Sequence, residues 1–187
     1  LRNPHKALSV LDNYLGNVKG KKIMNLMGSN GMKAVALSIM GADVTVVDFS
    51  QGNKAYALDL ADAAGSKINY ILSDILKLQQ EDLWNSFDIV FAEMGIIHYF
   101  TDLVEFMSIC HKLLKKDGLF ILRDFHPVST KLISSRGSTA KVRKHKVTGD
   151  YFDTSLKEKA VAYSKYSEAE EPSEKVYLRL WNLGEII

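Results

Sequence analysis

The sequence predicts an α/β fold: a doubly wound, mostly parallel sheet with helices on both faces. Three observations predict it. Short apolar runs alternate with helical patterns five times between Ile23 and Leu122, the order expected of βα units rather than of separate helical and strand blocks. The strand candidates Ile23 to Met27, Val44 to Val47 and Phe87 to Ala92 are almost continuously apolar, as strands covered on both faces are. The stretch from Lys22 to Ser50 reads as a complete βαβ unit, with small residues at the first strand–helix turn and an acid roughly 20 residues further on.

In chain order, Asn3-Pro4 followed by Leu8, Leu11, Tyr14 and Leu15 predicts an N-terminal helix, capped, with proline in its first turn and a stop at Gly16. The first strand runs into Gly28, Ser29, Asn30 and Gly31, residues that let the backbone turn tightly. Ala34, Val35, Leu37, Ile39 and Met40 give the next helix its apolar face, and Gly41 its stop. Val44 to Val47 leads to Asp48, and Ser50 is placed to cap a helix that reaches Ala64 and stops at Gly65. Asn69 to Leu72 is the third strand, Phe87 to Ala92 the fourth. Thr101 is read as the cap of a helix through about Leu114, with Phe106, Cys110 and Leu113 on its buried side. Lys115 to Gly118 is read as a turn, and Leu119 to Leu122 as the fifth strand.

After Pro127 the texture changes. Lys131 to Lys146 holds six Lys or Arg and no acid, which reads first as a solvated surface and second as a substrate-facing patch. No aromatics interleave with these cations, so a single-strand nucleic-acid platform is not expected. Val176 to Trp181 alternates as a half-exposed strand does, and Asn182 with Glu185 three residues on marks a helix start. A helix of one turn does not support itself, so the natural protein is expected to continue beyond Ile187.

Length and composition set outer bounds. At 187 residues, 47% apolar and 25% charged, one globular domain is expected. It divides into an N-terminal helix over 1–20, a ligand-binding core over 21–127 and a substrate region over 128–187. A net charge of +2 demands neither a nucleic acid nor a membrane as partner. One cysteine, Cys110, rules out an internal disulfide framework and suits a reducing, cytoplasmic setting, and no apolar run is long enough to span a membrane. The five histidines show no paired metal spacing, no Lys-Ser/Thr pair follows the glycine turn, and no Gly-x-Ser-x-Gly elbow is present.

The βαβ unit resembles motif I and the acidic strand end of class I S-adenosylmethionine-dependent methyltransferases, whose pattern is roughly Asp-Leu-Gly-x-Gly-x-Gly, a helix, then Gly-Ala and a strand ending in Asp. Aligned back from Gly41-Ala42, Asn25 stands at the family aspartate, Leu26 at the leucine, Met27 and Ser29 at the first two glycines and Gly31 at the third. Only one motif glycine is in its usual place. The resemblance covers Lys21 to about Pro127 and implies a Rossmann-like fold, S-adenosylmethionine as cofactor, and further sheet elements beyond Ile187. It implies a cofactor site of Asn25, Met27, Gly28, Ser29 and Gly31 in the first turn. Asp48 would face the ribose, with Phe49 beside it; Asp74 would face the adenine amine, with Ile75 beside the ring; Glu93 and Met94 would follow the fourth strand.

His98, Arg123 and His126 are the candidates for contact with the methyl acceptor; a packed histidine and a polar turn are the alternatives. The acceptor is expected to be a small molecule, since no nucleic-acid module is visible. A nicotinamide-dependent oxidoreductase is the rival enzyme, because Asp48 would serve any adenosine ribose. A non-catalytic cofactor-binding protein is the third reading, resting on Met27 and Ser29 in place of glycines. Oligomeric state is not legible.

Overall fold

The computed structural model describes residues 3–135, 145–160 and 175–187. Most of the basic stretch from Lys131 to Lys146 lies outside the described residues.

Five strands form the central sheet: β1 (Lys22–Leu26), β2 (Asp43–Asp48), β3 (Asn69–Leu72), β4 (Phe87–Glu93) and β5 (Leu114–Arg123), in the order β3-β2-β1-β4-β5. Every pairing is parallel. The chain winds outward from β1 to β3, then returns to β4 on the other side of β1. That reversal makes the crevice between β1 and β4 the switch point, outside whose carboxyl ends ligands of open α/β sheets bind. Helices α3 (Met32–Ile39), α4 (Gln51–Ala63) and α5 (Leu103–Leu113) alternate with the strands. This is the doubly wound sheet expected from the apolar runs.

Both faces of the sheet are buried because alternate strand residues point to opposite sides. Ile23, Val44, Val46, Ile89 and Phe91 join Leu8, Leu11, Leu15, Val35 and Ala57 in one cluster. Met24, Leu26, Val47, Val90 and Ala92 are equally shielded on the other side, and Phe106, Cys110 and Leu113 of α5 are buried as well.

Local readings differ at the N-terminal helix and at the fifth strand. The N-terminal helix is not continuous: α1 (Pro4–Leu8) and α2 (Asp12–Leu15) flank a 3-10 turn over Ser9–Leu11, and Ser9 takes a positive φ of 55°. Its buried residues Leu8, Leu11 and Leu15 still line one side, because spacings of three and four suit either helical form. Lys115 to Gly118 is not a turn ahead of the fifth strand but an irregularity within β5. Leu114 already pairs with Phe87, and two steps along β4 are then matched by five along β5, with Asp117 at a φ of 63°. β5 is the edge strand, and a cavity of about 530 Å³ lies beside it, lined by Val10, Leu11, Tyr14 and Leu119 to Arg123.

The described residues cluster into two compact units, 1–93 with 104–123, and 94–103 with 124–187. The second contains α6 (Pro127–Lys131) and two antiparallel pairs, β6 (Ile133–Ser135) with β7 (His145–Val147), and β8 (Leu156–Ala160) with β9 (Lys175–Arg179). It ends in α7 (Leu183–Ile186), opened by the capping box that Asn182 and Glu185 foretell. Arg179 organises this unit. Its guanidinium lies 3.9 Å from the centre of the Trp181 ring and donates to Glu185 and to the Thr101 carbonyl, while the Trp181 indole donates to the Ile97 carbonyl. Lys131 is buried but donates to the carbonyls of Asp153 and Leu180, which offsets the cost of a buried ammonium.

Candidate functional site

The first turn carries the sharpest geometry. Met27, Ser29 and Gly31 have φ values of 47°, 50° and 70°, all in the left-handed region that glycine enters freely and other residues enter at a cost of roughly 1–2 kcal/mol. These are the three positions that align with the family glycines. The turn is therefore kept although two of its glycines are replaced. Gly28 is required for a different reason: a Cβ there would lie 2.5 Å from Asn25 Oδ1 and 2.7 Å from Val46 Cγ1. At Gly31 the same atom would come within 2.6 Å of Ala57 Cβ, so α3 and α4 pack through its absence.

Asp48, at the end of β2, holds the turn in place. Its Oδ2 accepts from the Ser29 amide at 2.9 Å, and its Oδ1 accepts from the Ser50 amide at 2.9 Å and, more distantly at 3.4 Å, from the Asn53 side chain. Ser29 is tied from its other end too, because the Tyr70 hydroxyl donates to its carbonyl at 2.9 Å. Burial, and secondarily the Asp48 charge, holds the Tyr70 hydroxyl above the usual phenol range, so it stays a donor. A carboxylate offers about four acceptor positions. Asp48 uses three, one of them weakly, which leaves room for a diol even though the residue is only 6% exposed. Ser50 caps α4 through the Asn53 amide, so capping does not require Asp48.

Next to this carboxylate, Phe49 is 60% exposed and Leu72, at the end of β3, is 42% exposed. Two large apolar side chains left uncovered at neighbouring strand ends suit the faces of a flat ring. Ile75, expected beside the ring, is itself buried and offers little open surface. Asp74 caps the 3-10 turn over Ile75–Lys77 through the Leu76 amide, and its second oxygen lies 3.8 Å from Lys77. Turn, acid and uncovered apolar side chains stand at the carboxyl ends of β1, β2 and β3, with acceptors and flat surface of the kinds an adenosine group needs.

Glu93, expected among the cofactor-site residues, stands at the end of β4. Its side chain is 7% exposed and stands between two cations: Lys33, from the first turn of α3, touches Oε1, and Arg123 Nη1, from the end of β5, lies 3.4 Å from Oε2. Burial, with the Arg123 charge second, holds Lys33 below the usual lysine range. Sequence reasoning missed Lys33, because a lysine in a first helical turn ordinarily faces water; the adjacency of β1 and β4 makes it significant. Met94 follows with a φ of 69° and its side chain half exposed, and Gly95 with a φ of 95°.

The second unit places the other candidates by itself. Asp124 braces the loop after the fourth strand, accepting from the amides of Gly95, Ile97 and Phe125 at 2.7, 3.0 and 2.6 Å. His98 is 6% exposed, shares a hydrogen bond of 3.1 Å between Nδ1 and the Arg179 carbonyl, and stacks on Phe125. Its Nε2 faces Asp124 at 3.9 Å. Both ring nitrogens point inward. His126 caps α6, its Nδ1 accepting from the Val128 amide at 3.2 Å. Among the described residues no cluster of three or more His, Cys, Asp or Glu could hold a metal ion, and no helix is long and apolar enough to cross a membrane.

Known proteins share this architecture. An S-adenosylmethionine-dependent methyltransferase from Mesorhizobium loti superposes with a TM-score of 0.69 at 21% identity, covering 96% of this chain and 77% of its own. A second from Listeria monocytogenes, described as putative, gives 0.71 at 18%, covering 96% and 79%. Among curated relatives, the ubiquinone biosynthesis O-methyltransferase of Rickettsia bellii is 26% identical over 112 residues, 60% of this chain and 45% of the relative. That of Bradyrhizobium diazoefficiens is 30% identical over 103 residues, 55% and 39%. The match thus spans less than half the length of either relative. A family model described as a methyltransferase domain matches residues 27–122, from the left-handed turn to the end of the fifth strand. With half of its length matched by that model, on the sheet that carries the pinned turn and Asp48, the chain belongs to the methyltransferase-domain family.

Proposed function

We propose that this chain is an S-adenosylmethionine-dependent methyltransferase acting on a small molecule in a reducing, cytoplasmic setting. The observation that carries the reading is the first turn: three consecutive motif positions keep left-handed backbone without their full set of glycines, and the turn is fastened to Asp48 through the Ser29 amide. A backbone that spends strain energy at a strand end points to a site at which that shape is used.

When bound, the cofactor supplies a methyl group on a positively charged sulfur, which keeps the bonding electron pair as the methyl passes to a nucleophile. The residues act by holding and orienting. Asp48 accepts from the ribose diol, exchanging its long contact with Asn53 for a closer donor. Phe49 and Leu72 cover the base, and Asp74 offers its exposed carboxylate to the ring amine. Gly31, Ser29 and Met27 shape the backbone beside the methionyl part. Such a site accelerates transfer mainly by fixing the two reactants in line and excluding water.

Calorimetric titration of wild type, Asp48→Ala and Asp48→Asn with S-adenosylhomocysteine and with NADH tests the reading. The expected result is S-adenosylhomocysteine binding that weakens at least tenfold in Asp48→Ala, with no response to NADH. Melting curves accompany each variant, because Asp48 also holds the turn. Binding of NADH alone overturns the proposal.

A further inference from the structure

The cluster of Lys33, Glu93 and Arg123 is not explained by cofactor binding alone. All three lie in the unit that contains the sheet, at the carboxyl ends of β4 and β5 and the start of α3. The Lys33–Glu93 pair bridges the crevice between β1 and β4, the switch point of the sheet. The proposed nucleoside site occupies the ends of β1, β2 and β3 on one side of that crevice. The ends of β4 and β5 remain for the second reactant.

Charge and donor count then say what that reactant carries. Two cations surround one carboxylate, so the cluster keeps a net charge of +1. Glu93 is nearly closed to solvent, with one cation against each of its two oxygens. Arg123 is different. Its side chain is 36% exposed, and of five N–H donors only one reaches Glu93, at a long 3.4 Å; the rest of the fork has no partner among the described residues. An arginine fixed on one edge by a buried carboxylate and open on the other presents the planar pair of donors that matches a carboxylate or phosphate.

We propose that Arg123, supported by Lys33 and fixed by Glu93, receives an anionic oxygen group on the methyl acceptor, so that the enzyme selects acidic acceptors over neutral or basic ones. The proposal rests on the methyltransferase reading and adds the acceptor's chemical class. Arg123 binds; Lys33 and Glu93 position it and set the local charge.

The test uses the whole chain saturated with S-adenosylhomocysteine and titrated with benzoate, phenyl phosphate, benzamide and benzylamine, with binding followed by ligand-observed NMR. Benzoate is expected to bind at least tenfold more tightly than benzamide or benzylamine. Arg123→Ala should abolish that preference, Arg123→Lys should keep part of it, and Glu93→Gln should tighten benzoate several-fold by raising the local charge. A phosphate preferred over benzoate assigns the anion as phosphate; the reverse assigns carboxylate. Unchanged benzoate affinity in Arg123→Ala, a preference for benzylamine, or no benzoate binding to the loaded protein would overturn the proposal. S-adenosylhomocysteine affinity in each variant separates the two claims. If it is lost in wild type, the cofactor reading fails and takes this one with it; if it is kept while the anion preference is absent, only this one fails.

Discussion

Gly28→Ala tests whether the first turn is held by close packing as the structure requires. Gly28 has an ordinary backbone conformation, so alanine there is not strained by its own φ. The obstacle is space: the added Cβ would meet Asn25 Oδ1 at 2.5 Å, Val46 Cγ1 at 2.7 Å and Asn25 Cγ at 2.8 Å. Carbon atoms rest about 3.5–4.0 Å apart, so the neighbours must give by roughly 1 Å. Val46 is fully buried and Asn25 nearly so. Overpacking of this kind costs about 1–3 kcal/mol. At about 2–4 °C per kcal/mol for a chain of this size, a cost near 2 kcal/mol lowers the melting temperature by about 4–8 °C. Gly52→Ala is the matched control. It lies in α4, where the new Cβ meets only Ser50 Oγ at 3.9 Å, and it should stabilise by about 0.5 kcal/mol through helix propensity. Calorimetric melting of both variants decides it. If Gly28→Ala melts at or above wild type, the packing described around the turn is wrong.

Three further outcomes follow from the same geometry. Ser29→Gly should leave stability within about 1 kcal/mol of wild type, because relief at a φ of 50° offsets the added chain entropy, whereas Ser29→Val should cost about 1–2 kcal/mol; urea melts that rank them the other way would refute the left-handed assignment. Tyr70→Phe removes the hydroxyl that fastens the Ser29 carbonyl and should cost about 1 kcal/mol, with weakened S-adenosylhomocysteine binding as its second readout. Burial pushes the Cys110 thiol up to about 12. The unfolded thiol ionises near 9, so the native state binds the extra proton between those values, and its stability falls as pH rises through that window by up to about 1.4 kcal/mol per pH unit. Cys110→Ala should flatten that alkaline fall, and native protein should resist thiol reagents until it unfolds; an unchanged slope in urea melts from pH 9 to 11 would count against the burial described.

What the sequence reveals and hides follows from whether the cause is local. The strands are legible because a parallel strand covered on both faces must be apolar nearly throughout, and Asn69 to Leu72 matches β3 residue for residue. Ser50 as a cap and the Asn182–Glu185 capping box are legible because the groups that satisfy each other are three residues apart. The break at Ser9 carries no glycine or proline to mark it. Lys115 to Gly118 has turn chemistry, and only pairing with β4 shows that the strand begins before it. Thr101 has the chemistry of a cap, yet α5 begins at Leu103 and the Thr101 carbonyl accepts from Arg179, 78 residues away.

The site divides the same way. Met27 and Ser29 look like losses when judged by residue type, while the backbone shows the shape retained. Asp124 braces the amides of residues 95, 97 and 125, and nothing in the residues beside it announces the first two of those partners. Lys33 gave no signal at all, because its partners Glu93 and Arg123 are brought to it by strand order.

The most direct test of the central claim is a two-dimensional amide NMR titration of the isotope-labelled chain with S-adenosylhomocysteine. The account predicts saturable shifts centred on the amides of Ser29, Gly31, Phe49 and Ser50, where the pinned turn meets Asp48. Shifts confined to other parts of the chain, or a spectrum unmoved at millimolar ligand, would contradict it.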